Sequence, residues 1–249
     1  MGSDQAPWRR LIAVAGLLCL VGGDEFHRGN EPHDEFLRDA AAGRPAFVIA
    51  TAARDSPDAA VANAVRWFGS LGLEMSELRL RTPSDARSPA TLDKVAAAGL
   101  FYIAGGDPGR VVRVLRDSRA WQAIIGAWDA GAAVAGSSAG AMALCEWSLV
   151  REGFPGHARR RATPALRVVP GSAVLPHYDT FGERWIPSAQ ESVGPDAVLI
   201  GIDERTAAMW RDGSWTAMGA GAVTLVRGDE RQRFPAGERI EGIPQPVSR

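Results

Sequence analysis

Seven short apolar runs punctuate the chain: LLCLVGG at 17–23, AFVIATA at 46–52, LRLRT at 78–82, LFYIAGG at 100–106, AAVAGS at 132–137, AVLPH at 173–177 and AVLIGID at 197–203. Most are apolar without a break, the pattern of strands covered on both faces, whereas strict alternation would mark a sheet with one wet side. Helical spacing fills the gaps. Ala60, Ala64, Trp67 and Leu71 share one stripe that Gly72 would end, and Pro108 suits the first turn of a helix over 109–115. Strands and helices alternating in this way predict an α/β fold with a mostly parallel central sheet and helices on both of its faces. Beyond Asp203 the character changes, and RTAAMWRDGSWTAMGAGAVTLVRG reads as short strands turned at Asp212-Gly213 and at Gly219 and Gly221, a small C-terminal β-hairpin.

The 249 residues, 46% hydrophobic and 23% charged, suffice for a large core, and a single domain over 1–249 is expected. Lys and Arg number 28 against 29 Asp and Glu, so the formal charge of −1 supplies no field for nucleic acid or an anionic membrane surface. Cys19 and Cys145, the only cysteines, sit in apolar runs as buried thiols, and neither a metal nor a cofactor is expected. The run LIAVAGLLCLVGG, preceded by Trp8-Arg9-Arg10, falls short of the roughly 20 apolar residues of a membrane span. It reads either as an export signal or as a buried strand. Its end in Gly22-Gly23-Asp24, with no small-x-small cleavage site, favours the strand and a cytoplasmic protein.

The segment that carries chemistry is GAAVAGSSAGAMALCEW at 131–147, a strand, a tight turn of small residues and a helix, with Gly136-x-Ser138-x-Gly140 at its centre. Such a turn strains its middle residue and requires small neighbours so that the helix can fold back on the strand. Ser138 is thereby lifted to the carboxyl edge of the sheet. There the helix start, with free N–H groups and a favourable dipole, suits an oxyanion, and Ala139 N–H is the nearest donor. A phosphate-binding turn is the competing reading, but there is no Lys-Ser/Thr pair and no spaced dinucleotide fingerprint.

A serine hydroxyl needs a base, usually a histidine oriented by a carboxylate. Of four histidines, His27 and His33 fall in the polar loop DEFHRGNEPHDEF, where His33 could also begin a helix, and His157 falls in the arginine loop EGFPGHARRRATP; all three read as solvated. His177 ends the run AVLPH and so emerges at the same edge as Ser138, which makes it the candidate base. Glu204 follows AVLIGID at that edge and is the candidate acid. Asp179, Asp203 and Glu152 compete with it, because only a carboxylate within hydrogen-bond reach of the ring nitrogen would serve.

Together, LVGG, the Gly-Gly-Asp turn at 105–107, GSSAGA at 136–141, LPHYDTFGERW at 175–185 and GIDERTA at 201–207 resemble the family of serine peptidases that includes dipeptidase E and cyanophycinase. The resemblance implies the class I glutamine amidotransferase-like, flavodoxin-like fold, a three-layer α/β/α sandwich. It also implies Ser138 as nucleophile, His177 as base, Glu204 as the acid of the cyanophycinase branch, and Gly106 and Ala139 as oxyanion donors; the dipeptidase E branch places its acid nearer Glu152. Acyl transfer to serine followed by hydrolysis of a small peptide is the implied reaction. Asp107 and Arg184 are expected to meet the substrate, Arg184 by pairing with a carboxylate, so an aspartyl or other acidic peptide is the expected class.

Two departures separate the chain from cyanophycinase proper: Leu175-Pro176 stand before His177 in place of a polar pair, and Pro108 follows Asp107 in place of glutamine. They motivate the alternative of a non-catalytic member that binds a ligand or partner in the same cleft. An α/β-hydrolase esterase shares the Gly-x-Ser-x-Gly turn but places its acid before its histidine. A glutamine amidotransferase would carry cysteine at 138. The loop 151–164, with Arg151 and Arg159 to Arg161, reads as a solvated basic loop, the alternative being a cover over the cleft that favours anionic substrates; Trp185 could line a pocket, and a homodimer is left open.

Overall fold

A computed structural model describes residues 16–151 and 159–248. In chain order its strands are β1 (Leu18–Val21), β2 (Ala46–Ile49), β3 (Met75–Glu77), β4 (Leu100–Ile103), β5 (Ala133–Ser137), β6 (Cys145–Arg151), β7 (Arg160–Pro164), β8 (Val169–Leu175), β9 (Val198–Ile202), β10 (Thr206–Arg211), β11 (Ser214–Gly219), β12 (Ala222–Arg227), β13 (Glu230–Pro235) and β14 (Arg239–Ile240). The α-helices are α1 (Glu31–Ala41), α2 (Pro57–Ser70), α3 (Pro89–Ala97), α4 (Pro108–Leu115), α5 (Arg119–Asp129), α6 (Ala139–Leu144) and α7 (Ile186–Val193). Five of them carry a proline in the first turn, where the missing N–H costs nothing. Gly72, at φ +82°, follows α2 as expected.

The α/β class holds, and the strands divide between two sheets. The first runs β14-β11-β10-β1-β5-β4-β2-β3, parallel from β1 to β3 and antiparallel beyond β1. Its parallel strands are buried on both sides: Leu18, Leu20, Phe47, Ile49, Phe101 and Ile103 belong to one core with α4, α5 and α6, while Cys19, Val21, Val48 and Tyr102 pack with Leu37 of α1 and Phe68 of α2. That is the helix-sheet-helix layering expected of unbroken apolar runs. β1, the described part of the N-terminal run, sits near the middle of the sheet between β10 and β5; Trp8 to Arg10 lie outside the described residues.

AVLPH and AVLIGID depart from the single-sheet expectation. As β8 and β9 they pair in parallel with each other in a second sheet, ordered β13-β12-β9-β8-β6-β7. The C-terminal strands likewise do not form one appended hairpin. The β10–β11 hairpin, turned at Asp212 (φ 51°) and Gly213 (φ 80°), extends the first sheet beside β1, and the β12–β13 hairpin extends the second. LRLRT is also displaced: the edge strand is Met75–Glu77, because the Asp85 carboxylate accepts from Arg81 N and Thr82 N at 2.9 and 2.8 Å and ties that segment into a turn. No described helix is long and apolar enough to cross a membrane, and the described residues contain no group of three or more His, Cys, Asp or Glu that could hold a metal.

His33 is not solvated. Its side chain is wholly buried in α1 beside Asp34, because α1 lays this face on the sheet against Tyr102 and Phe68. Burial pushes the His33 pKa down to about 3 and that of Asp34 up to about 8, so both are neutral near pH 7. Asp34 accepts from Trp67 Nε1 at 2.7 Å. Because its folded pKa lies above the unfolded value, the stability it permits is complete below about pH 4 and lost as pH rises toward 8; for His33 the loss comes as pH falls from about 6.5 toward 3. Asp34→Asn keeps the shape and cannot ionise. Its stability relative to the parent, read by urea denaturation, is expected to climb between pH 5 and 8 by at most about 1.4 kcal/mol per unit, and a difference that stays flat across that range would exclude a neutral buried acid.

Candidate active site

β5 ends at Ser137, and the chain turns at once into α6, with Ser138 at φ 47°, ψ −104°. The two glycines permit that turn. A Cβ on Gly136 would stand 2.5 Å from the Gly140 carbonyl carbon, and one on Gly140 would stand 2.3 Å from the Ile103 carbonyl oxygen. Ser138 N–H donates to Val21 O at 2.9 Å, which fixes the turn to the end of β1 and leaves the side chain facing the cleft.

His177 stands two residues beyond β8 at φ 49°, its N–H donating to Gly22 O at 2.8 Å. Its imidazole lies flat on the Gly23 backbone: a Cβ at Gly23 would come within 2.2 to 2.7 Å of three ring atoms, so glycine is required there on steric grounds. The ring reaches both expected partners. Nε2 is 3.1 Å from Ser138 Oγ, and Nδ1 is 2.8 Å from Glu204 Oε1. The His177 and Glu204 side chains are 20% and 24% exposed, shielded enough to strengthen the pair yet open to a substrate.

Two of the competing carboxylates are occupied elsewhere. Asp179 accepts the Glu204 backbone N–H at 3.0 Å, holding the residue that meets the histidine, and Asp203 accepts from Ala222 N at 2.9 Å. Glu152 and His157 lie outside the described residues. His27, with a side chain 65% exposed, is the surface residue expected, paired with Asp24 at 3.1 Å.

Ser138 and His177 open into a cavity of about 840 Å³, which Gly106 and Asp107 also line. Ala139, buried, begins α6, where the first N–H groups lack helical partners. Asp107 has a second task as the cap of α4, accepting from Arg110 N at 3.3 Å. Arg184 departs from expectation: it is exposed on the 3₁₀ turn Gly182–Trp185 and is not among the cavity's lining residues, since it is the neighbouring Trp185 that turns inward. Among the described residues, the arginines that line the cavity are Arg54, Arg113, Arg151 and Arg160, against Asp55 and Asp107. Arg160 lies over the Trp185 ring at 3.9 Å, and burial, with Arg151 nearby, lowers its pKa to about 10, so it stays charged at neutral pH. Phe181 stacks on the His177 ring at 4.8 Å between centroids and leads to Trp185 at 5.4 Å, forming an aromatic wall from histidine to arginine.

Sequence reasoning passed over Phe181, Arg54, Arg113 and Glu25. Glu25 carries a signal, since it follows the Gly22-Gly23 end of a strand at the carboxyl edge.

The sequence model of peptidase family S51 matches residues 17–218. A cyanophycinase of Trichormus variabilis is 27% identical over 239 residues, covering 93% of this chain and 79% of that protein. Among solved structures, a peptidase from an acI-B1 actinobacterium superposes with a TM-score of 0.79 at 30% identity, covering 92% of this chain and 98% of that one. A protein assigned as a peptidase E from Listeria monocytogenes EGD-e has a TM-score of 0.57 at 16% identity, covering 90% and 100%, a likeness of fold.

Proposed function

The chain belongs to peptidase family S51 and is a serine-type peptidase, and from that premise we propose that Ser138, His177 and Glu204 form its catalytic triad and that its substrates are short peptides bearing an acidic group. The observation that carries the reading is the unbroken pair of contacts, Ser138 Oγ to His177 Nε2 at 3.1 Å and His177 Nδ1 to Glu204 at 2.8 Å. With Glu204 accepting from Nδ1–H, the tautomer leaves Nε2 free to take the serine proton. Ser138 Oγ then bonds to the scissile carbonyl carbon, and the N–H groups of Gly106 and Ala139 hold the oxygen as charge develops on it. His177 returns the proton to the leaving amine as the C–N bond breaks, leaving an acyl-serine. Water, deprotonated at Nε2, attacks the acyl carbon, and Ser138 leaves with the proton.

The acidic preference rests on the lining among the described residues, four arginines against two aspartates, with Arg160 over the Trp185 ring at one end of the aromatic wall. Guanidinium groups meet carboxylates through paired hydrogen bonds, and in a partly desolvated cleft such pairs gain strength. Pro108, Leu175 and Pro176 depart from the cyanophycinase pattern that the chain's motifs otherwise resemble, so cyanophycin belongs in the test as one substrate among several.

A digest of a short-peptide library, read by mass spectrometry, tests the proposal. Peptides with a side-chain or terminal carboxylate beside the scissile bond are expected to be consumed at least about tenfold faster than neutral ones, the worth of one charge-assisted hydrogen bond. Equal rates would overturn the acidic preference, and failure of a fluorophosphonate to label Ser138 would overturn the triad.

A further inference from the structure

Glu25 lies outside the triad, in the loop that follows β1, and is half-buried behind the reacting serine. One carboxylate oxygen, Oε1, accepts from Gly105 N at 2.8 Å. The other, Oε2, accepts from Ser137 Oγ at 2.8 Å. Each donor directly precedes a residue of the proposed machinery: Gly105 stands before Gly106, and Ser137 before Ser138. The fit is close. A Cβ on Gly105 would stand 2.9 Å from Glu25 Oε1 and 3.5 Å from Ser138 Cβ, so carboxylate, turn and nucleophile are in contact.

The backbone around Glu25 holds the rest of the site. Gly22 O accepts from His177 N, Gly23 O accepts from Arg205 N at 2.9 Å next to Glu204, and Val21 O accepts from Ser138 N. The end of β1 and the two glycines after it therefore hold Ser138, His177 and Arg205, the neighbour of Glu204, through backbone bonds. The β4–α4 turn, which carries Gly106, is tied to this group by the Glu25 side chain and, at Asp107 N to Ala52 O, to the β2 end. The direction of the Gly106 N–H depends on the peptide plane before it. Gly105 N–H lies one peptide plane earlier, so the bond from Glu25 does not fix the Gly106 N–H directly; it sets where Gly105 stands beside Ser138, the anchor from which a flexible Gly-Gly pair presents that N–H.

We propose that Glu25 is a positioning residue, a two-pronged clip that locks the Gly105-Gly106 turn against the nucleophile turn so that Gly106 N–H faces the oxygen of the tetrahedral intermediate. Both prongs accept hydrogen bonds, and a charged acceptor makes them about twice as strong as neutral ones. The carboxylate does not touch substrate. The inference rests on the triad reading, because the clip has a purpose only where an oxyanion forms beside Ser138.

The test is steady-state kinetics on a peptide cleaved by the full chain, with binding of a peptide aldehyde as mimic of the tetrahedral state. Loss of one oxyanion donor costs about 10²- to 10³-fold in kcat, so Glu25→Ala, which frees the donor without removing it, is expected to lower kcat by about 10- to 100-fold. KM should stay within about threefold, and the aldehyde should weaken in step with kcat. Glu25→Gln can still accept from Gly105 N through oxygen and donate to Ser137 Oγ through nitrogen, and is expected to recover most of the rate. Glu25→Asp, one methylene short, keeps the charge and is expected to lose at least about tenfold; it decides the matter should the alanine variant not fold. Wild-type kcat in Glu25→Ala or Glu25→Asp, or a glutamine variant no better than alanine with kcat and KM impaired together, would overturn the clip. Full activity in Ser138→Ala would instead overturn the triad reading, so the two failures are told apart.

Discussion

Ser138→Ala is expected to abolish peptide hydrolysis, with kcat falling by about 10⁴- to 10⁶-fold, while the protein still unfolds in one cooperative step. The size follows from what is removed: without Oγ no acyl-serine forms, and what remains is binding and the oxyanion donors acting on water. The fold survives for local reasons. The turn is built from Gly136, Ala139 and Gly140, and its strained φ of 47° is held by Ser138 N to Val21 O, a backbone bond that alanine keeps. Deleting the hydroxyl removes one hydrogen bond to His177 Nε2 at the mouth of a cavity where water can replace it, a change of about 1 kcal/mol or less. Turnover of a cleaved library peptide, with a thermal melt of the same sample, checks both halves. Retained turnover would remove Ser138 from the reaction, and a lost transition would show that the hydroxyl was structural.

The second large effect is expected at Glu204. Glu204→Gln keeps the length and shape, yet its amide nitrogen donates to Nδ1 and selects the tautomer with the proton on Nε2, facing Ser138, where it cannot act as base. A fall in kcat of about 10³- to 10⁴-fold is expected, with KM within about threefold and the melt little changed. The matching changes Glu152→Gln and Asp203→Asn are expected to leave kcat within about threefold if Glu204 alone orients the histidine. Asp203 in particular is engaged with Ala222 N. A full rate in Glu204→Gln, or a collapse on Glu152→Gln, would move the orienting role to another carboxylate.

These residues were legible before any coordinates because they share one property: each follows an apolar run at the point where it must leave the sheet. Ser138 follows β5 in the first sheet, and His177 and Glu204 follow β8 and β9, parallel neighbours in the second; parallel pairing brings the last two together, and the backbone of Val21 and Gly22 joins that end to Ser138. What remained hidden had no local mark. AVLPH and AVLIGID look like members of the first sheet because an unbroken apolar run reports burial on both faces and says nothing about which strand lies beside it. The chain around His33 is polar and reads as solvated, whereas α1 turns both His33 and Asp34 onto the apolar sheet face that Tyr102 and Phe68 share. The motif around Arg184 points it at the substrate, but a 3₁₀ turn rotates successive side chains by about 120°, so Trp185 faces the cavity and Arg184 faces solvent.

By itself, then, the amino-acid sequence determined the α/β class, the strand-turn-helix that strains Ser138, and the residues that compete to be its base and acid. These depend on periodicity and on which side chains fit a tight turn, both local properties. The tertiary structure decided the division into two sheets, the choice of Glu204 as the carboxylate beside His177, the arginine and aromatic lining of the cleft, and the contact of Glu25 with two turns 80 and 112 residues away. Those outcomes turn on distances between segments remote in the chain, and a hydrogen bond of 2.8 Å depends on how whole strands pack, which no short stretch of residues encodes.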